Sequence, residues 1–399
     1  MSIRPIFAAL RKHKLAAGLL ALEIAVACAI LCNAVFLIRD RLAQMQVNTG
    51  IAENELVWFS ADGTSGDAAT PIVERNLAAL KGLAEVKAVA VVKSLPLSNN
   101  DMNFNATMDA AGKVSTPNMQ MLIGTSGYLQ TLGLKLVAGH DFSADDYAGI
   151  DAWQPQSSSM MVTRALADRL WPGKSALGQG FYVDKKRYQV IGVVDHLVRG
   201  ELRGIASEYV ALCAARPSEH LSSLYVLRVD PAARDRLVRE GSDMLIRLNP
   251  DMLISQQGTY GELRSSYFAS DRALAWLLGV ICVALLVVTA LGIAGLASFW
   301  VAQRRRQIGI RRAIGATRGD ILRYFQIENF LIVSFGIALG MLLAYVLNVT
   351  LMKFYELPIL PLYYLPIGAV VLWLLGQLAV LGPALRAAAV PPVVATRSV

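Results

Sequence analysis

"RRRQIGIRRAIGATRGDIL", Arg304 to Leu322, lies between two apolar runs that are each long enough to cross a membrane. Six of its nineteen residues are arginine, yet Ile308, Ile310, Ala313, Ile314 and Ala316 give it an apolar side as well. Arginines alone suffice to fix the orientation of a loop. The ordered isoleucines and glycines ask for a further reason, a surface that the segment is shaped to touch.

Working outward, four apolar runs stand out: 15–38, 273–302, 330–352 and 362–384. The first has 24 residues and as a helix would span about 36 Å, against roughly 30 Å of hydrocarbon. It is too long for an ordinary signal-peptide core, and no small-residue cleavage site follows it. The "AVAC" ending at Cys28 sits in mid-span, so an uncleaved anchor is the better reading. The chain is 55% hydrophobic and 17% charged, with a mean hydropathy of +0.45, too apolar for a soluble globule. These features predict a multi-pass α-helical membrane protein with four transmembrane helices.

The net charge of +8 does not point to nucleic acid, because the densest arginine cluster abuts apolar runs. Arg4, Arg11, Lys12 and Lys14 precede the first run, and segment 303–329 carries seven arginines. The short outer loop, 353–361, has only Lys353. The positive-inside rule then places both termini in the cytoplasm, with 1–14 as an interfacial segment and 385–399 as a tail. Ile3, Ile6, Phe7 and Leu10 give the first segment a helical apolar face; a plain basic leader is the alternative.

Residues 39–272 remain outside, enough to build a core of their own. "ELVWFS" and "VKAVAVV" read as strands with a helical "PIVERNLAALKGL" between them. "SMMV" leads into a helix "TRALADRLW", "QGFYVDKKRYQVIGVV" reads as a hairpin turning at Asp184–Lys186, and "SSLYVLRVD" as a strand before a helix near 232–248. "SADGTSGDAAT" and "LSNNDMN" read as exposed loops, and "DFSADD" as a turn and a helix start. The irregular order predicts a large α+β extracytoplasmic domain between the first and second transmembrane helices.

Little of this sequence has the pattern of catalysis. Gly173-Lys174-Ser175 has the tail of a phosphate loop, but Asp168 stands where the pattern needs glycine, and a helix precedes it instead of a strand. The four histidines are dispersed, so no metal site and no catalytic residue are expected. Three of the four cysteines lie in apolar runs, leaving Cys213 alone outside. Within the spans, Glu23 is a costly carboxylate that should face protein or water, as a switch, a helix contact or a tolerated polar residue. Ala17, Ala21, Ala25 and Ala29 form a small-residue stripe at every fourth position, and Gly336, Gly340 and Ala344 form another. Such stripes let helix backbones pack closely.

After Gln307, the residues Ile308, Gly309, Ile310, Arg311, Arg312, Ala313, Ile314, Gly315, Ala316 and Thr317 resemble, almost residue for residue, a signature of the FtsX-like permease family, in particular its MacB-type members. "GYLQTLGLKLVAGHDFSADD", "TRALADRLWPGKSALGQGFYVDKKRYQVIGVV" and "GPALRAAAVPPVVATRSV" are similar to further stretches of that family, so the likeness covers nearly the whole chain.

The resemblance implies the permease subunit of an ABC-type export system. Its 307–317 segment would dock on a separate ATPase dimer, which would hold the ATP and magnesium, with no cofactor on this chain. Two permeases, identical or related, would pair in the inner membrane. ATP-driven motion would pass to the outer domains and expel a peptide, macrolide-like or lipophilic cargo, with a membrane-fusion adaptor as a further partner. A signalling subunit that activates an extracytoplasmic partner such as a cell-wall hydrolase is the alternative within the same family. Gln307 departs from the family's usual glutamate, and no ATPase pattern is fused to the sequence.

Overall fold

The computed structural model describes residues 14–63, 66–98, 102–151, 154–184, 186–200, 202, 207–221, 223–355 and 360–389. The interfacial segment and the tail beyond residue 389 fall outside the described residues, apart from Lys14. The chain divides into two compact units, one of residues 46–269 and the other of 1–45 with 270–399.

Helix α1 (Lys14–Met45) precedes the inserted unit. That unit opens with β1 (Leu56–Asp62), α2 (Ala69–Lys81), β2 (Val86–Val92), β3 (Asn103–Phe104), β4 (Met119–Gly124), α3 (Tyr128–Leu132) and β5 (Leu136–Gly139). A small hairpin, β6 (Ile150–Asp151) and β7 (Gln154–Pro155), comes next. It is followed by β8 (Ser159–Thr163), α4 (Arg164–Leu170), β9 (Gly180–Val183) and β10 (Lys186–Val194). The unit closes with β11 (Val210–Ala214), β12 (Leu224–Val229), α5 (Arg234–Leu248), β13 (Leu253–Thr259) and α6 (Tyr260–Tyr267).

Eleven strands form one mixed sheet in the order β13-β1-β12-β2-β4-β11-β8-β10-β5, with β3 added on β4 and β9 on β10. The pairs β4·β11 and β8·β10 are parallel. β2 meets β4 through a single residue pair, Val92 and Gly124, so the sheet narrows between its two halves. Over the β1 half, α2 and α5 bury Val73, Leu80, Leu237 and Leu245 in the same core as Val57 and Phe59. Gly241 of α5 lies against the Phe59 ring, where a Cβ would come within 2.5 Å. The buried Asn76 amide donates to the Tyr225 hydroxyl at 3.0 Å, so these two buried polar groups satisfy each other.

The hairpin turns at Asp184, whose φ of +48° supplies the left-handed residue such a turn needs. "DFSADD" is a turn followed by a 3-10 helix capped reciprocally by Ser143 and Asp146. Two loop expectations need correction. In "LSNNDMN", Leu97 is buried in the domain rather than exposed, because apolar side chains are drawn inward even where φ is +62°. "SADGTSGDAAT" is largely taken up by the end of β1, a 3-10 turn at Gly66–Ala68 and the start of α2.

The other unit holds four helices long and apolar enough to cross a membrane: α1, α7 (Ala269–Gln303), α9 (Arg318–Tyr355) and α10 (Tyr364–Ala388). The short α8 (Arg305–Ala313) lies between α7 and α9. Each long helix extends past at least one end of the apolar run that marks it. α1 runs on through Asp40 and Gln44, bonded one turn apart at 2.9 Å. α9 starts twelve residues before the third run at 330 and takes in Lys353, which was expected in a loop.

The two small-residue stripes face each other across α1 and α9. A Cβ on Gly336 would lie 2.9 Å from the Ala21 carbonyl oxygen; one on Gly340 would lie 2.7 Å from that of Ala25 and 2.5 Å from Cys28 Cβ. Ala344 is fully buried beside them. Three buried amides then staple the bundle. Asn33 donates to the Ala344 carbonyl at 3.1 Å and Asn329 to that of Gly376 at 2.8 Å. The Asn348 side-chain oxygen accepts from the Leu360 N–H at 2.9 Å. In hydrocarbon such groups must find partners within the protein.

Gly340→Leu therefore has no room and should force α1 and α9 apart. The expected cost is about 1–3 kcal/mol or more, read as a lower melting temperature and reduced monodisperse yield in detergent. An unchanged melting temperature would contradict this packing.

Candidate coupling helix

The segment 303–329 is a helix, a corner and the start of a second helix. Helical geometry relaxes at Arg304 (φ −100°, ψ 9°), and α8 then runs from Arg305 to Ala313. It ends in a left-handed stop. Gly315, at φ +104°, donates to the Arg312 carbonyl at 3.2 Å and Ala316 to that of Arg311 at 3.0 Å, the paired bonds of a Schellman motif. Thr317 begins α9: its hydroxyl accepts from the Asp320 N–H at 3.2 Å, and Asp320 Oδ2 accepts from the Thr317 N–H at 3.0 Å. Gly315, Thr317 and Asp320 are thus occupied in turning the chain.

The isoleucines of α8 divide between two roles. Ile308 is 4% exposed and packs with Val301, Ile321, Phe325, Ala384 and Ala387. Gly309 is buried with it. Ile310 and Ile314, one turn apart on another side, are 44% and 81% exposed. Gln307, Arg311, Ala313, Gly315 and Thr317 are exposed, and Arg312 and Ala316 half-buried. The Arg311 guanidinium lies over the Tyr324 ring at 4.9 Å, a contact that orients it against α9.

Glu328 was not singled out in the sequence, although it is the most buried acid of this region. It is 1% exposed on α9, and Arg304, itself only 11% exposed, sits against it at 2.8 Å. The same guanidinium nitrogen also reaches the other carboxylate oxygen at 3.0 Å. The signal was available: an acid at the edge of an apolar run requires a cation or water, and arginines lie within the preceding turn and helix.

Glu23 faces α7, where a Cβ on Gly292 would lie 2.7 Å from its Oε2. With Thr289, Leu285 and Val288 it lines a cleft between α1 and α7. Ala17 packs at the edge of the α1 core, and Ala21 and Ala25 lie within it.

Four spanning helices with a large α+β domain inserted after the first define a permease-like membrane protein. Residues 19–240 match the MacB-like periplasmic core domain, and residues 279–392 match the FtsX-like permease C-terminal region. The chain belongs to the MacB-type, FtsX-like family of ABC transporter permeases, and its inserted unit is the extracytoplasmic core domain of that family.

Among similar proteins, the macrolide export ATP-binding/permease protein MacB 1/2 of Paracoccus denitrificans is 26% identical over 357 residues, covering 86% of this chain and 50% of that protein. The uncharacterized ABC transporter permease YknZ of Bacillus subtilis is 23% identical over 294 residues, covering 71% of this chain and 68% of that one. The chain thus spans half the length of the Paracoccus protein. The solved periplasmic region of MacB from Actinobacillus actinomycetemcomitans superposes with a TM-score of 0.36 at 12% identity, covering 56% of this chain and 97% of that one.

Gly315→Val places a branched side chain at φ +104° and should cost about 1–3 kcal/mol; Thr317→Ala removes a helix cap worth about 1 kcal/mol. Both should lower the melting temperature of the purified chain, Gly315→Val more. The reverse order would contradict the corner geometry.

Proposed function

We propose that the chain is the transmembrane subunit of an ABC-type export system, and that α8 docks on a separate ATPase dimer that binds the ATP and magnesium. The observation that carries this reading is the Ile310–Ile314 pair, exposed on a short helix whose other isoleucine, Ile308, is buried against α9 and α10. Burying an isoleucine side chain contributes about 1.5–3 kcal/mol, and the arginines around the pair suit a partner groove rimmed with carboxylates.

By the positive-inside rule, α8 and both termini lie in the cytoplasm, and the inserted domain lies beyond the inner membrane. Paired permeases, identical or related, would pass the motion of the ATPases to their outer domains and expel a cargo collected there. A peptide, a macrolide-like molecule or another lipophilic compound fits the export names of the relatives; a membrane-fusion adaptor would complete the route.

Orientation has a direct test. Ser175 and Gln303 are both exposed, and the native cysteines among the described residues are buried. Ser175→Cys should react with an impermeant maleimide on intact spheroplasts and Gln303→Cys only after lysis; the opposite pattern overturns the topology.

The docking surface is tested by Ile314→Asp and Arg311→Glu. Each should reduce co-purification of ABC ATPases, identified by mass spectrometry, by about tenfold or more, since a charge placed in an apolar contact or reversed at an interface costs several kcal/mol. Membrane insertion should persist. Arg305→Glu, next to the end of α7, is the control. Undiminished capture in both variants would reduce the segment to a topology signal.

A further inference from the structure

Glu328 and Arg304 join the residue at the break between α7 and α8 to the body of α9. The other end of α8 is tied to α9 by the corner of residues 314–317, and its middle by Ile308 against Ile321 and Phe325. α8 is therefore held to α9 at both ends and along one face, although it follows α7 in sequence.

α9 in turn meets α1 through Gly336 and Gly340, where the backbones approach too closely for any side chain, and through the Asn33–Ala344 bond. α7 is held differently. Val280, Val283, Val287 and Leu291 along it are exposed; it meets α1 where Glu23 rests on Gly292 and at the Arg41–Asp271 ion pair, 2.7 Å.

We propose that the Arg304–Glu328 pair is a yoke that makes α8 move as one piece with α9, so that a push on α8 reaches α1 through the Gly336–Gly340 contact while α7 follows. Arg304 and Glu328 are positioning residues in this route, and it rests on the coupling role given to α8 above. The charge is essential to it. A buried carboxylate with its arginine removed, or the reverse, is left uncompensated and pulls the joint apart. The pair closes the start of α8 onto α9, and the glycine contact joins α9 to α1, so loosening either should widen the range of positions α8 takes relative to α1.

The experiment uses the full chain in lipid nanodiscs with spin labels at the exposed positions Ile310 on α8 and Leu22 on α1, and needs no ATPase. The wild-type background should give one narrow distance distribution. Glu328→Gln, which keeps the shape and removes the charge, should broaden it about twofold or more, as should Gly340→Ala at the glycine contact. The reversed pair Arg304→Glu/Glu328→Arg should restore most of the narrowing, which loss of a generic packing residue would not predict.

Hydrogen exchange supplies the check on folding. In Glu328→Gln the amides of 305–313 should exchange about tenfold faster, with those of the inserted domain unchanged. An unbroadened distribution in Glu328→Gln or in Gly340→Ala overturns the proposal, as does a uniform rise in exchange across the chain. ATPase capture by the wild type separates the two ideas. Its absence sinks the coupling role of α8, whereas the distances and the exchange pattern decide the yoke.

Discussion

The membrane unit depends on two helix backbones meeting where neither can carry a side chain. Gly336 and Gly340 of α9 lie on Ala21, Ala25 and Cys28 of α1, and no larger residue fits without moving one helix. Between two apolar helices in lipid there is little hydrophobic drive to associate, so close packing must supply the energy. Once α1 and α9 are this close, Asn33 can reach the Ala344 carbonyl, while Asn329 of α9 reaches the Gly376 carbonyl of α10. The Asn33 staple is a consequence of the close approach, because it needs the α9 backbone within bonding distance.

This arrangement explains which parts were legible in the sequence. The stripes were visible as every-fourth-residue patterns, since a helix repeats nearly every four residues and the spacing names the face. What the spacing does not name is the partner, and that Ala21 and Ala25 meet Gly336 and Gly340 emerges only in three dimensions. The inserted domain behaves alike. Its strands and helices follow the local alternation of "VKAVAVV", "KRYQVIGVV" and "PIVERNLAALKGL", but the order β13-β1-β12-β2 joins segments up to about two hundred residues apart. Leu97 shows the reverse error. Followed by a serine and two asparagines it looks like loop, and burial is decided by the core beneath it, not by its neighbours in sequence.

The α8 corner was recognised as a block, yet the structure divides it by cause. Gly315 is there for a left-handed stop, Thr317 and Asp320 for a cap, and Ile308 for a small apolar cluster. These residues fix the shape of the corner whether or not anything docks on it. Only after they are set aside do Ile310 and Ile314 stand out as apolar groups without a place inside this chain. A sequence pattern weighs all these positions alike, so it finds the segment but not which side chains remain to be bound.

One departure from the family pattern then acquires a physical reading. The first turn of α8 begins with Arg305 and Arg306 and contains no acid, which sets positive charge against the positive end of the helix dipole. A glutamate at position 307 would relieve this from within the turn; Gln307 does not. The negative charge comes from outside, where Glu328 of α9 binds Arg304 at the start of α8. A helix whose own first turn is electrostatically unfavourable takes its stability from its neighbours. α8 is therefore a helix because α9 holds it, and its position must report on that of α9.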